Sequence, residues 1–244
     1  MSGMFSLEGR VALVTGASRG LGWAMAKALA AAGAHTVLNG RDAKTLQSRA
    51  DELMAEGLSS SIAPFDVTDE ALSKTAIKSI VNEFSQLDIL LNNAGIVQRL
   101  ELRDIPTTEW QKILDINLTA CFVLAREAAG PMMAQGWGRI INTASVLTFI
   151  SRPTGLSYAV SKHGLAGLTK AVAVDLGSSG VTCNAIAPGF IATEINADAR
   201  RNKEFSDKIK NRTPLGRWGE PEELEGAVVF LASNASSYAR STIY

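Results

Sequence analysis

Short apolar runs, many with β-branched residues, recur along the chain and alternate with longer stretches whose apolar positions return every three or four residues. The runs at 11–14, 36–38, 62–65, 89–91, 140–142 and 182–187 predict strands. They are apolar on both alternating faces, the pattern of a strand covered from both sides. Between them, 21–32, 43–56, 70–85, 108–135, 158–178 and 221–233 are helix-length stretches. The punctuation agrees. Gly33 and Gly57 follow the first two helical stretches, Asp42 and Asp69 precede the second and third as N-cap residues, and Pro221 suits the first turn of the last. Strand–helix alternation along the whole chain predicts one α/β domain over 1–244, a doubly wound parallel sheet with helices on both faces and right-handed crossovers. The segment 188–214 breaks this rhythm. It carries mixed charges and follows a strand's carboxyl end, where such sheets bind ligands, so a substrate lid is expected there.

Composition narrows the picture. The chain has 244 residues, 46% hydrophobic and 20% charged, enough to build a sizeable core and too apolar for disorder. Lys plus Arg and Asp plus Glu both total 24, giving a formal net charge of zero. With no basic field, neither nucleic acid nor an anionic membrane is an expected partner. Cys121 and Cys183 sit in separate apolar runs without CxxC spacing, which predicts buried free thiols in a reducing compartment. The N-terminus lacks a basic region followed by an apolar stretch, and no apolar run approaches the roughly 18 residues of a membrane span. A cytoplasmic location is expected. His35 and His163 lie far apart with no carboxylate cluster at ligand spacing, so no metal is expected. Trp23, Trp110, Trp137 and Trp218 read as packing residues.

After the first strand stands Thr15-Gly16-Ala17-Ser18-Arg19-Gly20-Leu21-Gly22. The spacing is GxxxGxG rather than GxGxxG, but the physical logic is the same. Gly16 permits a tight exit from the strand, and Gly20 lets backbone N–H groups approach a pyrophosphate. Gly22 lets the helix pack closely while its N-terminus faces the phosphates. In a βαβ context this predicts a Rossmann-type dinucleotide site, with Ser18 and Leu21 in the same loop. The second strand ends in Asn39-Gly40-Arg41 without the carboxylate that usually binds both ribose hydroxyls. Arg19 and Arg41 form a candidate fork for a 2′-phosphate instead, so NADP(H) is the expected cofactor.

Ser145, Tyr158 and Lys162 occur as Ser-x12-Tyr-x3-Lys. Tyr and Lys four residues apart share one helix face, and the serine follows a strand's carboxyl end. Carbonyl reduction needs a hydride donor and an acid for the developing alkoxide. A tyrosine hydroxyl beside an ammonium group can serve as that acid and, with its phenolate stabilised, as the base in reverse. Lys162 is placed to do this and to hold ribose hydroxyls, while Ser145 orients the substrate oxygen.

Together these motifs resemble the short-chain dehydrogenase/reductase family over nearly the whole chain. The match runs through Thr15–Gly22, Asp66-Val67, Asn92-Asn93-Ala94-Gly95, Asn117, Ser145, Tyr158/Lys162 and Pro188-Gly189, in that family's order and spacing. The resemblance implies that Asp66 and Val67 contact adenine and that Asn93, Ala94 and Gly95 line the cofactor channel. It implies that Asn117 kinks its helix and holds a water relaying protons from Lys162. By the same analogy Pro188, Gly189, Ile191 and Thr193 flank the nicotinamide.

The stretches Val37-Leu38-Asn39-Gly40-Arg41, Phe65-Asp66-Val67-Thr68-Asp69 and Arg212-Thr213-Pro214-Leu215-Gly216-Arg217-Trp218-Gly219 are similar to the gluconate 5-dehydrogenase branch, which interconverts 5-keto-D-gluconate and D-gluconate with NADP(H). A sugar acid needs a cation for its carboxylate, and Arg99 and Arg152 are candidates by position. 3-Oxoacyl-carrier-protein reduction and general carbonyl or sugar-alcohol chemistry stay open, as does a non-catalytic, cofactor-binding regulatory protein. The end of the chain, Ser237-Tyr238-Ala239-Arg240-Ser241-Thr242-Ile243-Tyr244, departs from the family's last strand with its Val-Asp-Gly-Gly, and a shortened or altered strand is expected. In the family that strand helps build a subunit interface, and a homo-oligomer, tetramer or dimer, is expected.

Overall fold

The computed structural model describes residues 3–244, and the first two positions of the N-terminal stretch read for a leader lie outside the described residues. Six strands form one sheet: β1 (Val11–Val14), β2 (His35–Gly40), β3 (Ser60–Pro64), β4 (Ile89–Asn92), β5 (Gly138–Thr143) and β6 (Val181–Ile186). Their order is β3-β2-β1-β4-β5-β6, and every pairing is parallel. The chain winds outward from β1 to β3, then starts again at β4 on the other side. That reversal between β1 and β4 opens a crevice at the strands' carboxyl ends.

Alternation along the strands sends neighbours to opposite faces. On one face Val14, Leu91 and Ile141 meet α1 (Gly20–Ala31), α2 (Ala43–Ala55) and α9 (Glu225–Ala232), through Met25, Leu46 and Val228. On the other, Leu13, Leu90 and Ile140 meet α3 (Glu70–Phe84), α5 (Ala120–Ala134) and α6 (Leu156–Leu176), through Ile77, Leu124 and Ala173. Asp42 and Asp69 cap α2 and α3 as expected, each accepting a backbone N–H. Gly33 and Gly57 take φ of 108° and 75°, which favours glycine, whereas α3 ends at Ser85 with φ 63° and no glycine signal.

Three expectations need correction. β3 is not covered from both sides: it is the edge strand, and its residues are half-buried or exposed. The stretch 108–135 is not one regular helix. It splits into α4 (Thr107–Leu114), a π-helical turn (Asp115–Thr119) and α5, since an extra residue in one turn leaves the apolar rhythm nearly intact. The segment 188–214 is largely ordered into a 3₁₀ turn (Glu194–Asn196), α7 (Ala197–Arg201) and α8 (Lys203–Arg212). The chain's end lies beside β6 through an isolated bridge, without a strand of its own. Ile243 pairs with Ala185 in parallel register, and backbone bonds link Thr242 and Tyr244 to Ala185 and Ala187. Among the described residues, no helix is long and apolar enough to cross a membrane.

Candidate active site

The crevice is a cleft of about 530 Å³ at the carboxyl ends of the strands. The glycine loop forms one wall. Gly16 and Gly20 take φ of 64° and 56°, and a methyl at Gly22 would overlap the Gly16 carbonyl and the Asn93 amide. Thr15 Oγ1 accepts N–H bonds from Asn93 and Ala94 at 2.9 and 3.1 Å, and Asn93 Nδ2 returns bonds to the carbonyls of Thr15 and Gly16. The first strand's exit is thus stapled to the loop after β4, leaving Gly20 and the N-terminus of α1 facing the cleft. Such a cradle, free of side chains where backbone amides converge, fits a dinucleotide pyrophosphate. Ser18, Leu21, Asp66, Val67, Gly95, Pro188, Gly189, Ile191 and Thr193 line the same cleft.

Three expected cofactor residues make contacts of their own at the cleft. Asn39 lines the cleft, but its Nδ2 donates to the carbonyls of Ala63 and Phe65, tying β2 to the chain after β3. Arg19 and Arg41 both line the cleft. Arg19 pairs with Glu194 at 3.3 Å, and Arg41 stands near Asp66. The Thr68 backbone N–H, then its hydroxyl, hold the Asp66 carboxyl below the usual range, with Arg41 adding to the effect. No sequence pattern marked Arg49. It stacks on Trp23 with 4.7 Å to the ring centroid, and its Nε donates to the Ser18 carbonyl at 3.1 Å, bracing the glycine loop.

Ser145 and α6 form the opposite wall. Ser145 Oγ accepts the Leu147 N–H at 3.1 Å, so its own proton is free for another acceptor. The Ser145 N–H donates to Thr148 Oγ1, which in turn donates to the Lys162 carbonyl, bolting this turn to α6. One turn of α6 brings Tyr158 and Lys162 to the cleft, with Lys162 Nζ 5.5 Å from the centre of the Tyr158 ring. Lys162 is 4% exposed, and its ammonium donates to the Thr143 carbonyl at 2.6 Å.

Asn117 is the one catalytic candidate that does not line the cleft: it is fully buried. The π-helical turn directs its side chain at the loop after β4, where Oδ1 accepts the Ile96 N–H at 2.9 Å and Nδ2 donates to the Ile96 carbonyl at 3.0 Å. Nδ2 also reaches Ser161 Oγ at 3.1 Å, joining that loop to α6.

Arg99 and Arg152 both line the cleft with Ser145 and Tyr158. Arg152 Nε is buried without a hydrogen-bond partner, and its guanidinium lies 5.9 Å from the Phe205 ring centre on α8. Burial lowers the Arg152 pKa, and the nearby Arg99 cation lowers it further. Arg99 also donates to Asn196 Oδ1 at 3.3 Å. Glu194 and Asn196, which no sequence pattern marked, therefore stand over the cleft within reach of two arginines. Elsewhere, Trp218 is buried in a small cluster with Ala192 and Ile209, and Trp137 lies between the guanidiniums of Arg10 and Arg139. Among the described residues, no group of three or more His, Cys, Asp or Glu side chains is arranged to hold a metal.

Comparison with known proteins gives concordant results. A family described as enoyl-(acyl carrier protein) reductase matches residues 16–244. Gluconate 5-dehydrogenase of Gluconobacter oxydans is 42% identical over 240 residues, 98% of this chain and 94% of that protein. The 2-dehydro-3-deoxy-D-gluconate 5-dehydrogenase of Bacillus subtilis is 40% identical over 98% of this chain and 93% of its own length. Among solved structures, a gluconate 5-dehydrogenase from Burkholderia cenocepacia in complex with NADP and tartrate superimposes with a TM-score of 0.96 at 38% identity, covering 99% of this chain and 94% of that one.

Proposed function

The chain belongs to the short-chain dehydrogenase/reductase family, and from that premise we propose that it is an NADP(H)-dependent dehydrogenase interconverting a keto sugar acid, 5-keto-D-gluconate or a close relative, with its hydroxy acid. The observation that carries the substrate class is the Arg99/Arg152 pair beside Ser145 and Tyr158. Arg152, whose charged form is disfavoured by burial and by the nearby Arg99 and whose Nε–H is buried without a partner, is completed by a carboxylate. The relatives and the tartrate-bound neighbour support the same class.

The bound nicotinamide supplies or takes up the hydride; the rest falls to the chain. The glycine loop and the N-terminus of α1 bind the pyrophosphate, Arg19 and Arg41 serve the 2′-phosphate, and Lys162 takes the ribose hydroxyls. Arg99 and Arg152 fix the substrate carboxylate, which orients the reacting carbon. Ser145 donates its free proton to the substrate oxygen. Tyr158 delivers a proton to that oxygen in reduction and removes it in oxidation. Lys162, held at the Thr143 carbonyl, keeps a positive charge beside the tyrosine. Asn117 anchors the Ile96 loop that floors the pocket and links it to α6.

The test is NADPH oxidation with 5-keto-gluconate, fructose and an acetoacetyl thioester in parallel. Turnover on the keto acid is expected to dominate. Arg152→Met is expected to raise KM for the keto acid about 10- to 100-fold, the loss of a charged hydrogen bond, while leaving the uncharged ketose little changed. Preferred turnover of the thioester, with KM insensitive to Arg152, would move the substrate to acyl chemistry.

A further inference from the structure

Glu194 is the one carboxylate ion-paired with Arg19 among the described residues, and it comes from the opposite side of the cleft. Arg19 precedes α1 on the glycine loop, and Glu194 opens the 3₁₀ turn after β6. A methyl group added at Gly20 would meet the Thr193 side chain at 3.6 Å, so the two segments face each other across the cleft mouth. The pair is open to water, with side chains 64% and 68% exposed. An ion pair so exposed contributes little to folding.

The two arginines expected at the 2′-phosphate are therefore not equivalent. Asp66, beside Arg41, is fixed by two bonds from Thr68 at 2.9 and 2.7 Å. Among the described residues, the Glu194 carboxylate has no polar partner besides Arg19. It is a counter-ion that can leave.

We infer that Glu194 is a specificity-determining residue, an internal anion that competes with the cofactor's 2′-phosphate for Arg19 and so limits how strongly NADPH is preferred over NADH. This rests on the reading of Arg19 as a 2′-phosphate partner. A phosphate monoester carries close to two negative charges at neutral pH, so it must displace the Glu194 carboxylate from Arg19 and is then repelled by it. NADH has a hydroxyl at that position and needs no such displacement. The cost falls on the phosphorylated cofactor and eases its release after turnover.

The experiment is direct titration of the full-length protein with NADPH and with NADH, followed by cofactor fluorescence, for wild type, Glu194→Gln, Arg19→Ala and the double variant. Glu194→Gln is expected to tighten NADPH about 1.5- to fivefold, the range of an exposed ion pair, with a smaller effect on NADH. The gain should shrink as salt rises from about 0.05 to 0.5 M. It should vanish in the Arg19→Ala background. Equal tightening of both cofactors, the same tightening without Arg19, or no tightening would overturn the inference. Arg19→Ala alone separates the two levels: if it weakens NADPH and NADH equally, the assignment of Arg19 to the 2′-phosphate has failed, and the role of Glu194 fails with it.

Discussion

In the proposed mechanism Tyr158 is the only side chain that both donates and accepts the proton at the reacting oxygen. Tyr158→Phe removes that hydroxyl and keeps the ring beside Lys162, so the cleft and its cofactor contacts should persist. Steady-state assays should show kcat lower by about 10²- to 10⁴-fold, the usual reach of general acid–base catalysis, with cofactor affinity in a binding titration nearly unchanged. A variant retaining most of its turnover would remove Tyr158 from the reaction. The serine, tyrosine and lysine were legible because their spacing has a chemical reason. Asn117 was not legible from its own surroundings: a lone asparagine in an apolar helical stretch carries no sign that its side chain will satisfy both backbone groups of Ile96. Only the family resemblance singled it out. Glu194 carried no signal at all, since its partner lies on a loop far away in the chain.

Whole elements show how local chemistry sets boundaries that hydrophobic period leaves blurred. The 3₁₀ turn Pro221–Leu224 leads into α9, and Glu223 anchors it by accepting from Arg217 at 2.6 Å and from the Glu220 N–H at 2.8 Å. The Arg217 side chain, then the Glu220 N–H, hold the Glu223 carboxyl down to about 2, from an ordinary value of 4.5. A carboxyl whose pKa is lower in the folded state stabilises it above the unfolded pKa and loses that contribution as pH falls through the folded one. Thermal melts of wild type and Glu223→Gln should therefore differ most above pH 4.5 and converge towards pH 2. A constant difference across that window would mean the charge is irrelevant. The break in 108–135 was illegible for a related reason: a π-helical turn costs no hydrophobic position, and the contact it makes is between Asn117 and a loop distant in the chain. The segment 188–214 looked irregular because α8 is mostly polar outside, burying only Ser206 and Ile209.

For the whole molecule, the two packed faces of the sheet account for both cysteines. Cys121 and Cys183 are free and buried, with burial the main cause pushing their thiols up to about 11 and about 12. At pH 8 a thiol reagent should label the native protein about 100-fold or more slowly than the denatured chain, which should take up two equivalents. Fast labelling of the native protein would place a thiol at the surface. What the sequence determined by itself is whatever is local and periodic: alternating strands and helices, caps, the glycine loop, and a Tyr–Lys pair one helical turn apart. Steric and hydrogen-bonding rules acting over a few residues make these readable without a partner. The tertiary structure alone decided which strand lies at the edge, how the chain's end lies against β6, and where buried or charged groups find their counterparts. Arg152 beside Arg99, Asn117 on Ile96 and Arg19 with Glu194 all join residues whose proximity depends on the strand order. Burial and Coulombic interaction depend on distance in space, and distance along the chain does not supply it.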